Sequence, residues 1–180
     1  MKRILVLVLA GLALCAGPAH AEKFLGIMPY GGYSFPIIQQ DTGSGAIYGL
    51  RAPLIVIPVL TLEPFYASSS LGDAEEELGG LTYTRTGFDV TAFGLSALLM
   101  SSGEGFKFYP FAGVGSWELD RTGSDIKETG WNFGFGVGIP AGSKISVHLR
   151  GELDMIITGD TSRKFGAATL GLNYNLWSSE

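Results

Sequence analysis

The stretch Ile145-Ser146-Val147-His148-Leu149-Arg150-Gly151-Glu152-Leu153-Asp154-Met155 alternates Ile145, Val147, Leu149, Leu153 and Met155 with Ser146, His148, Arg150, Glu152 and Asp154. Successive side chains on a strand point to opposite faces, so this segment has one apolar wall and one ionic wall. The run before it repeats the design. Trp131, Phe133, Phe135, Val137 and Ile139 share one face, and Asn132, Gly134, Gly136 and Gly138 share the other.

Composition narrows what such strands can build. Charged residues make up 16% of the chain, against about 25% in soluble domains, and the 27 glycines exceed ordinary usage. The first 21 residues have Lys2 and Arg3, the apolar run Ile4 to Leu14, then Ala19-His20-Ala21. That order of charge, apolar run and small-x-small site reads as a cleaved signal peptide over 1–21, with maturation at Glu22. A helical membrane anchor needs about 20 apolar residues, and the run breaks at Gly17-Pro18. A lipoprotein signal at Cys15 wants a small residue before it, where Leu14 stands. Cys15 therefore leaves with the leader, and the mature chain relies on packing or on a membrane rather than on disulfides. Removing two of the 12 basic residues and none of the 17 acidic ones leaves a net charge of −7, and nothing in that balance suggests nucleic acid as a partner.

Residues 22–180 read as one domain of about eight extended segments, spanning 24–35, 46–56, 59–70, 84–99, 106–117, 129–139, 144–157 and 164–177. Each approaches or exceeds the 9 to 11 residues of a tilted membrane strand. Connections at Ile57-Pro58, Ser101 to Gly105 and Pro140 to Ser143 are short. Those at Gln39 to Gly45, Leu71 to Tyr83 and Glu118 to Glu128 are longer and polar, and Thr158 to Arg163 is modestly longer. Short periplasmic turns facing longer external loops are the asymmetry of an outer-membrane barrel. The expected fold is all-β: a closed antiparallel up-and-down transmembrane β-barrel, apolar side outward, in the outer membrane of a Gram-negative cell envelope.

Face assignment follows the alternation. Tyr48, Leu50, Leu54 and Val56 oppose Arg51; Leu60, Leu62 and Tyr66 oppose Thr61 and Glu63; Phe88, Val90 and Ala92 oppose Asp89 and Thr91. In the last segment Leu170, Leu172, Tyr174 and Leu176 oppose Thr169, Gly171, Asn173 and Asn175. Arg150 at the lipid midplane would cost about 2 to 4 kcal/mol, so the polar faces are assigned to the lumen. The expected lumen network is Arg51, Glu63, Asp89, His148, Arg150, Glu152 and Asp154, with Arg51 paired to Glu63 and Asp89 or Glu152 as its alternative partner. The competing architecture, a secreted lipocalin-type barrel with apolar residues inside, would cover its solvent face mainly with glycine, threonine and about one charge per strand.

Over essentially the whole mature length the chain resembles the eight-stranded outer-membrane barrel superfamily, the OmpA-like and OmpX-like transmembrane domains. Phe108-Tyr109-Pro110-Phe111-Ala112-Gly113-Val114-Gly115 looks like the family's fifth strand, and Ile145 to Leu153 like its seventh. The last segment resembles the signal read by the barrel-assembly machinery, with Thr169, Gly171, Tyr174 and Leu176 at the matching spacing. It departs from the family in ending Trp177-Ser178-Ser179-Glu180 after Leu176 rather than on an aromatic residue. The resemblance implies an integral outer-membrane protein with a structural or surface-interaction, adhesion-like role through its loops, with lipid and lipopolysaccharide as its surroundings. A small pore, a ligand carrier or a lipid-modifying enzyme are the alternatives.

No catalytic, cofactor-binding or metal-binding residue is assigned. The lipid A deacylases, similar in topology, use a His-x-Ser pair with a later Glu; here Leu149 and Arg150 follow His148, and a hydrogen-bonding role is expected for it. One mature histidine and no cysteine give no His/Cys metal cluster. Asp73-Ala74-Glu75-Glu76-Glu77 lacks the spacing of a calcium-binding hand loop and reads as a solvated loop, with cation bridging to lipopolysaccharide as the other possibility. Tyr33, Phe35, Tyr66, Phe106, Trp131 and Tyr174 fall near segment ends, where aromatic girdles form. The strand glycines carry no nucleotide signature, since no helix follows them.

Overall fold

The computed structural model of the chain describes residues 24–37, 42–78, 81–100, 105–121, 124–158 and 161–178. The signal peptide, Cys15 and the expected start at Glu22 lie outside the described residues. The strands are β1 (Phe24–Pro36), β2 (Gly45–Arg51), β3 (Leu54–Ile57), β4 (Leu60–Leu71), β5 (Ala74–Leu78), β6 (Leu81–Arg85), β7 (Phe88–Leu99), β8 (Lys107–Arg121), β9 (Ser124–Pro140), β10 (Ile145–Thr158) and β11 (Thr161–Ser178).

Nine of these form one antiparallel sheet in which β11 pairs back onto β1, so the sheet closes. Because β2 and β3 are two halves of one stave, the barrel has eight staves. The break falls at Ala52-Pro53, where proline has no N–H to give the ladder. The neighbouring strands compensate: the Gly26 amide donates to the Pro53 carbonyl at 2.9 Å and the Ala52 amide to the Pro64 carbonyl at 3.0 Å. Both outer ends of the closing strands share one rim with the short β3–β4, β7–β8 and β9–β10 connections, and the long connections share the other. By that asymmetry the first rim is periplasmic and the second external.

Outward-facing Leu95, Phe133, Phe135, Leu149, Leu170 and Leu172 belong to a continuous apolar belt, and Leu149 is 57% exposed. An apolar surface of this extent is stable only against hydrocarbon or a partner. The six expected girdle aromatics are all exposed, Phe106 most of all at 64%.

The inward face changes character along the barrel axis. In the external half Phe65, Leu71, Phe88, Val90, Trp117, Leu119, Ile156 and Phe165 form a buried apolar cluster. Strand β7 shows the reason. Phe88, Val90 and Ala92 point inward and Asp89 outward, whereas lower on the same strand Phe93, Leu95 and Leu99 point outward and Gly94, Ser96 and Leu98 inward. The backbone parity is constant; only the solvent changes. Above the belt the outside is water, so apolar side chains turn in and polar ones out, as in a soluble sheet. Asp89 is thereby corrected: it is exposed on the outer face, opposite Ser70 and Asp120, and does not belong to the lumen. The same switch converts two expected loops into strand. Glu118 to Glu128 continues the β8–β9 ladder to Arg121 opposite Ser124, and Asp73 to Glu77 leads into the β5–β6 ribbon.

Leu149→Arg, in the middle of the belt, is expected to lower barrel stability by about 2 to 4 kcal/mol, whereas Asp89→Arg, above it, changes stability by about 0 to 1 kcal/mol. Urea titration of barrels refolded in lipid vesicles measures both. The reverse order would return Asp89 to the lumen.

Candidate functional site

The glycines of β9 make the lumen floor. Tyr109 on β8 and Arg150 on β10 both stand opposite Gly136, and a Cβ there would collide with the Tyr109 ring. Gly134 likewise berths Phe111, whose Cζ would lie 2.9 Å from an added Cβ, and Gly138 berths His148, 3.0 Å from its Cε1. Glycine alternation on this strand thus lets two aromatic rings and an imidazole lie flat across the inner wall, and Tyr109 is fully buried.

Onto that floor three strands project one ionic layer. Arg150 of β10 donates to both Glu63 oxygens of β4, each at 2.6 Å, with both residues almost fully buried. The forked guanidinium matches a carboxylate in this geometry, which makes the pair stronger than a single contact. Arg51 of β2 pairs with Glu152 of β10, reaches Thr169 Oγ1 at 3.5 Å, and stacks its guanidinium 3.6 Å over the Tyr30 ring. Its Nε also lies 3.8 Å from Glu63 Oε1. The expected Arg51–Glu63 pair is therefore present as the looser contact. Arg51 stands opposite Phe65 in the ladder, two residues beyond Glu63, while Glu63 takes its closer partner from across the barrel.

The layer continues toward the periplasmic rim as a chain of hydrogen bonds. Arg150 Nε donates to the Tyr109 hydroxyl at 3.0 Å, that hydroxyl is 2.7 Å from His148 Nδ1, and His148 Nε2 is 2.9 Å from Ser146 Oγ. Asn173 Nδ2 donates to Asn175 Oδ1 at 2.7 Å and lies 3.5 Å from Ser146 Oγ. Asp154 is on the same inward face, opposite Asn132 and Phe165, where the layer meets the apolar cluster beside Ser34 and Ser69.

Of the residues singled out in the sequence, Arg51, Glu63, His148, Arg150 and Glu152 converge, Asp154 borders them, and Asp89 is elsewhere. On β11 Thr169 and Gly171 face inward and Tyr174 and Leu176 outward. Three members were missed: Tyr30, which lies under the Arg51 guanidinium on a strand whose faces were not assigned, Tyr109 and Ser146. Tyr109 sits in a motif taken only for its likeness, and Ser146 precedes His148 by two residues on one strand face, a Ser-x-His order instead of the His-x-Ser order sought.

The pairing of Ser146 with His148 is not a nucleophile with its base. The Tyr109 oxygen already accepts the Arg150 Nε–H, and its single proton has His148 Nδ1 as acceptor. Were Nδ1 protonated instead, the phenol proton would be buried without a partner, at a cost of about 1 to 3 kcal/mol. The imidazole proton is therefore on Nε2 and is donated to Ser146, so no ring lone pair faces the serine hydroxyl.

No family model matches the chain, and no curated protein matches it in sequence. Solved structures do. The chain is similar to Neisserial surface protein A at a TM-score of 0.65 and 14% identity, over 83% of this chain and 96% of that one. It is similar to the N-terminal β-barrel domain of Pseudomonas aeruginosa OprF at 0.53 and 14%, over 86% and 100%. It is similar to Ail, the attachment invasion locus protein of Yersinia pestis, at 0.51 and 15%, over 88% and 100%; Ail has also been solved with the heparin analogue sucrose octasulfate. The chain has the closed eight-stranded fold of outer-membrane β-barrels. At these identities the likeness is one of fold.

Glu63→Gln and Arg150→Met are each expected to cost about 3 to 5 kcal/mol by leaving the other charge buried, with the double variant costing less than their sum. The Arg51–Glu63 cycle should show a smaller coupling than either the Arg150–Glu63 or the Arg51–Glu152 cycle. Equilibrium unfolding in vesicles reads all three, and additivity of Glu63 with Arg150 would deny the pair its role.

Proposed function

We propose that this chain is an integral outer-membrane barrel, exported through a cleaved leader, that works without catalysis as a structural and surface-interaction, adhesion-like protein through its external end. The observation that carries the reading is the β5–β6 ribbon. Every residue of β6 is exposed, including Leu81 at 62% and Tyr83 at 51%. Leu81 and Tyr83, two residues apart, share one exposed face of β6 at the rim, and among the described residues β5 and β6 pair with no strand but each other. A lone two-stranded ribbon is marginal in water, and free edges accept further strands. A protein surface fits this chemistry. Asp73, Glu75, Glu76 and Glu77 are acidic and repel a polyanion of the heparin type, so the ligand chemistry differs from that of the Ail complex.

The absence of a base for Ser146 supports the non-catalytic part of the proposal. The barrel's surroundings are outer-membrane lipid and lipopolysaccharide, and Thr169, Gly171, Tyr174 and Leu176 serve as its signal to the barrel-assembly machinery.

Replacing residues 74–85 by an Asn-Gly turn is expected to leave a barrel that still migrates differently in boiled and unboiled detergent gels, while cells displaying it lose adhesion to surfaces coated with extracellular-matrix protein. Adhesion equal to that of the native barrel would overturn the proposal. Planar-bilayer recordings are expected to show no large stable pore, because the apolar cluster and the ionic layer both cross the lumen. Sustained porin-sized conductance would favour the channel reading in its place.

A further inference from the structure

Beyond the barrel, the β5–β6 ribbon has two edges of different character. Leu78 and Leu81 pair across a two-residue connection, which makes them a hydrogen-bonded rung. Rungs of an antiparallel pair alternate, so Glu75 and Glu77 on β5, and Thr82 and Thr84 on β6, turn their backbone N–H and C=O groups away from the ribbon. The last rung between β7 and β8 is Asp89 opposite Asp120, short of β6, and among the described residues no strand flanks either edge.

Exposed edges are normally guarded by charge, proline or a bulge. Strand β5 is guarded, since Glu75 and Glu77 are exposed on it and Asp73 precedes it. Strand β6 is not: from Leu81 to Thr84 it has no charge, proline or glycine, Thr82, Tyr83 and Thr84 are strong strand formers, and all are exposed. The same edge is complementary to itself. With Tyr83 on a two-fold axis, two antiparallel β6 strands set Thr82 opposite Thr84 as a hydrogen-bonded rung on each side of the axis. Tyr83 then meets Tyr83 of the second copy at the closer, non-hydrogen-bonded spacing. Aromatic and threonine pairs are favourable cross-strand neighbours, and a ribbon marginal in water becomes the half of a four-stranded sheet. The acidic β5 strands lie on the outer edges of that sheet, about 14 Å apart at ordinary strand spacing, beyond the ~8 Å screening length of physiological salt. Pairing through β5 instead would set Glu75 of one copy against Glu77 of the other.

We infer that the occupant of the β6 edge is β6 of a second copy of this chain in a facing membrane, so that the protein joins one cell to another by self-recognition. Each β6 runs from the ribbon tip back toward its own barrel, so antiparallel pairing puts the two barrels at opposite ends of the shared sheet. Two barrels standing in one membrane would bring the strands together parallel, which forfeits the two-fold register. The inference rests on reading the ribbon as the external interaction element and names a partner for its β6 edge.

The test is two-colour coincidence between phospholipid vesicles carrying the refolded barrel, residues 22–180, which hold no cysteine. Barrel vesicles are expected to cluster with one another and not with barrel-free vesicles. Thr82→Pro removes an N–H that no bond within the ribbon uses and is expected to weaken clustering about tenfold or more, whereas Glu77→Pro, its counterpart on the β5 edge, leaves clustering unchanged. Folding of each variant is shown by its gel shift. Independently of these prolines, Tyr83→Cys is expected to give disulfide-linked dimers on mild oxidation of clustered vesicles. Leu81→Cys is not, because its counterpart lies roughly 13 Å away along the ladder, out of disulfide reach. Clustering that is absent, equal with barrel-free vesicles, or undiminished in Thr82→Pro would overturn the inference, as would linkage through Leu81→Cys in preference to Tyr83→Cys. Vesicles that adhere to matrix protein without clustering would overturn this inference alone, and vesicles that cluster without adhering would overturn the matrix adhesion alone.

Discussion

Hydrocarbon offers no hydrogen bonds, so every backbone N–H and C=O within it has to be paired inside the protein. For a β-chain this forces closure, and the seam between β1 and β11 is where the constraint is met. Its register runs from Phe24 opposite Ser178 to Pro36 opposite Phe165. Even the proline break between β2 and β3 is repaired by bonds from the strands on either side. Closure then fixes which side chains share the lumen. Glu63 and Arg150 meet because the circle brings β4 and β10 face to face, although they are far apart in sequence and share no ladder.

The fold was legible because lipid imposes a simple rule on alternation: apolar out, over a belt long enough to span. Trp131 to Ile139 and Ile145 to Met155 obey it along their length, and the belt was read correctly from them. The rule was carried too far at Phe88 to Ala92. There the apolar residues face inward, since the segment lies above the belt and water reverses the preference. The switch is visible in the sequence of β7, where apolar residues fall on even positions up to Ala92 and largely on odd ones from Phe93 to Leu99. A change of parity without a change of backbone marks the membrane boundary, and the same change occurs on β8 between Val114 and Trp117.

The site was half legible, for a different reason. That Arg51, Glu63, Arg150 and Glu152 share the lumen follows from parity, which is local. Which cation pairs with which anion depends on reach across the barrel, which is not. Ladder neighbours suggested Arg51 with Glu63. The observed choice is decided by Tyr109 and Gly136. With no side chain at Gly136, the Tyr109 ring lies flat and its hydroxyl takes Arg150 Nε, which leaves the guanidinium fork aimed at both Glu63 oxygens. A glycine and a tyrosine on neighbouring strands thus settle an ion pair to which neither contributes a charge.

That same hydroxyl also settles the chemistry of His148. It accepts from Arg150 and its single proton has the imidazole as acceptor, and the imidazole in turn donates to Ser146. Each group in the chain from Glu63 to Ser146 is committed to one hydrogen-bonding direction by the group before it, with the charge of Arg150 as the origin. Reversal would leave the buried phenol proton without an acceptor, and that cost opposes it. A Ser-x-His pair on a strand is therefore insufficient to predict a nucleophile; the proton inventory of the residues behind the histidine decides it.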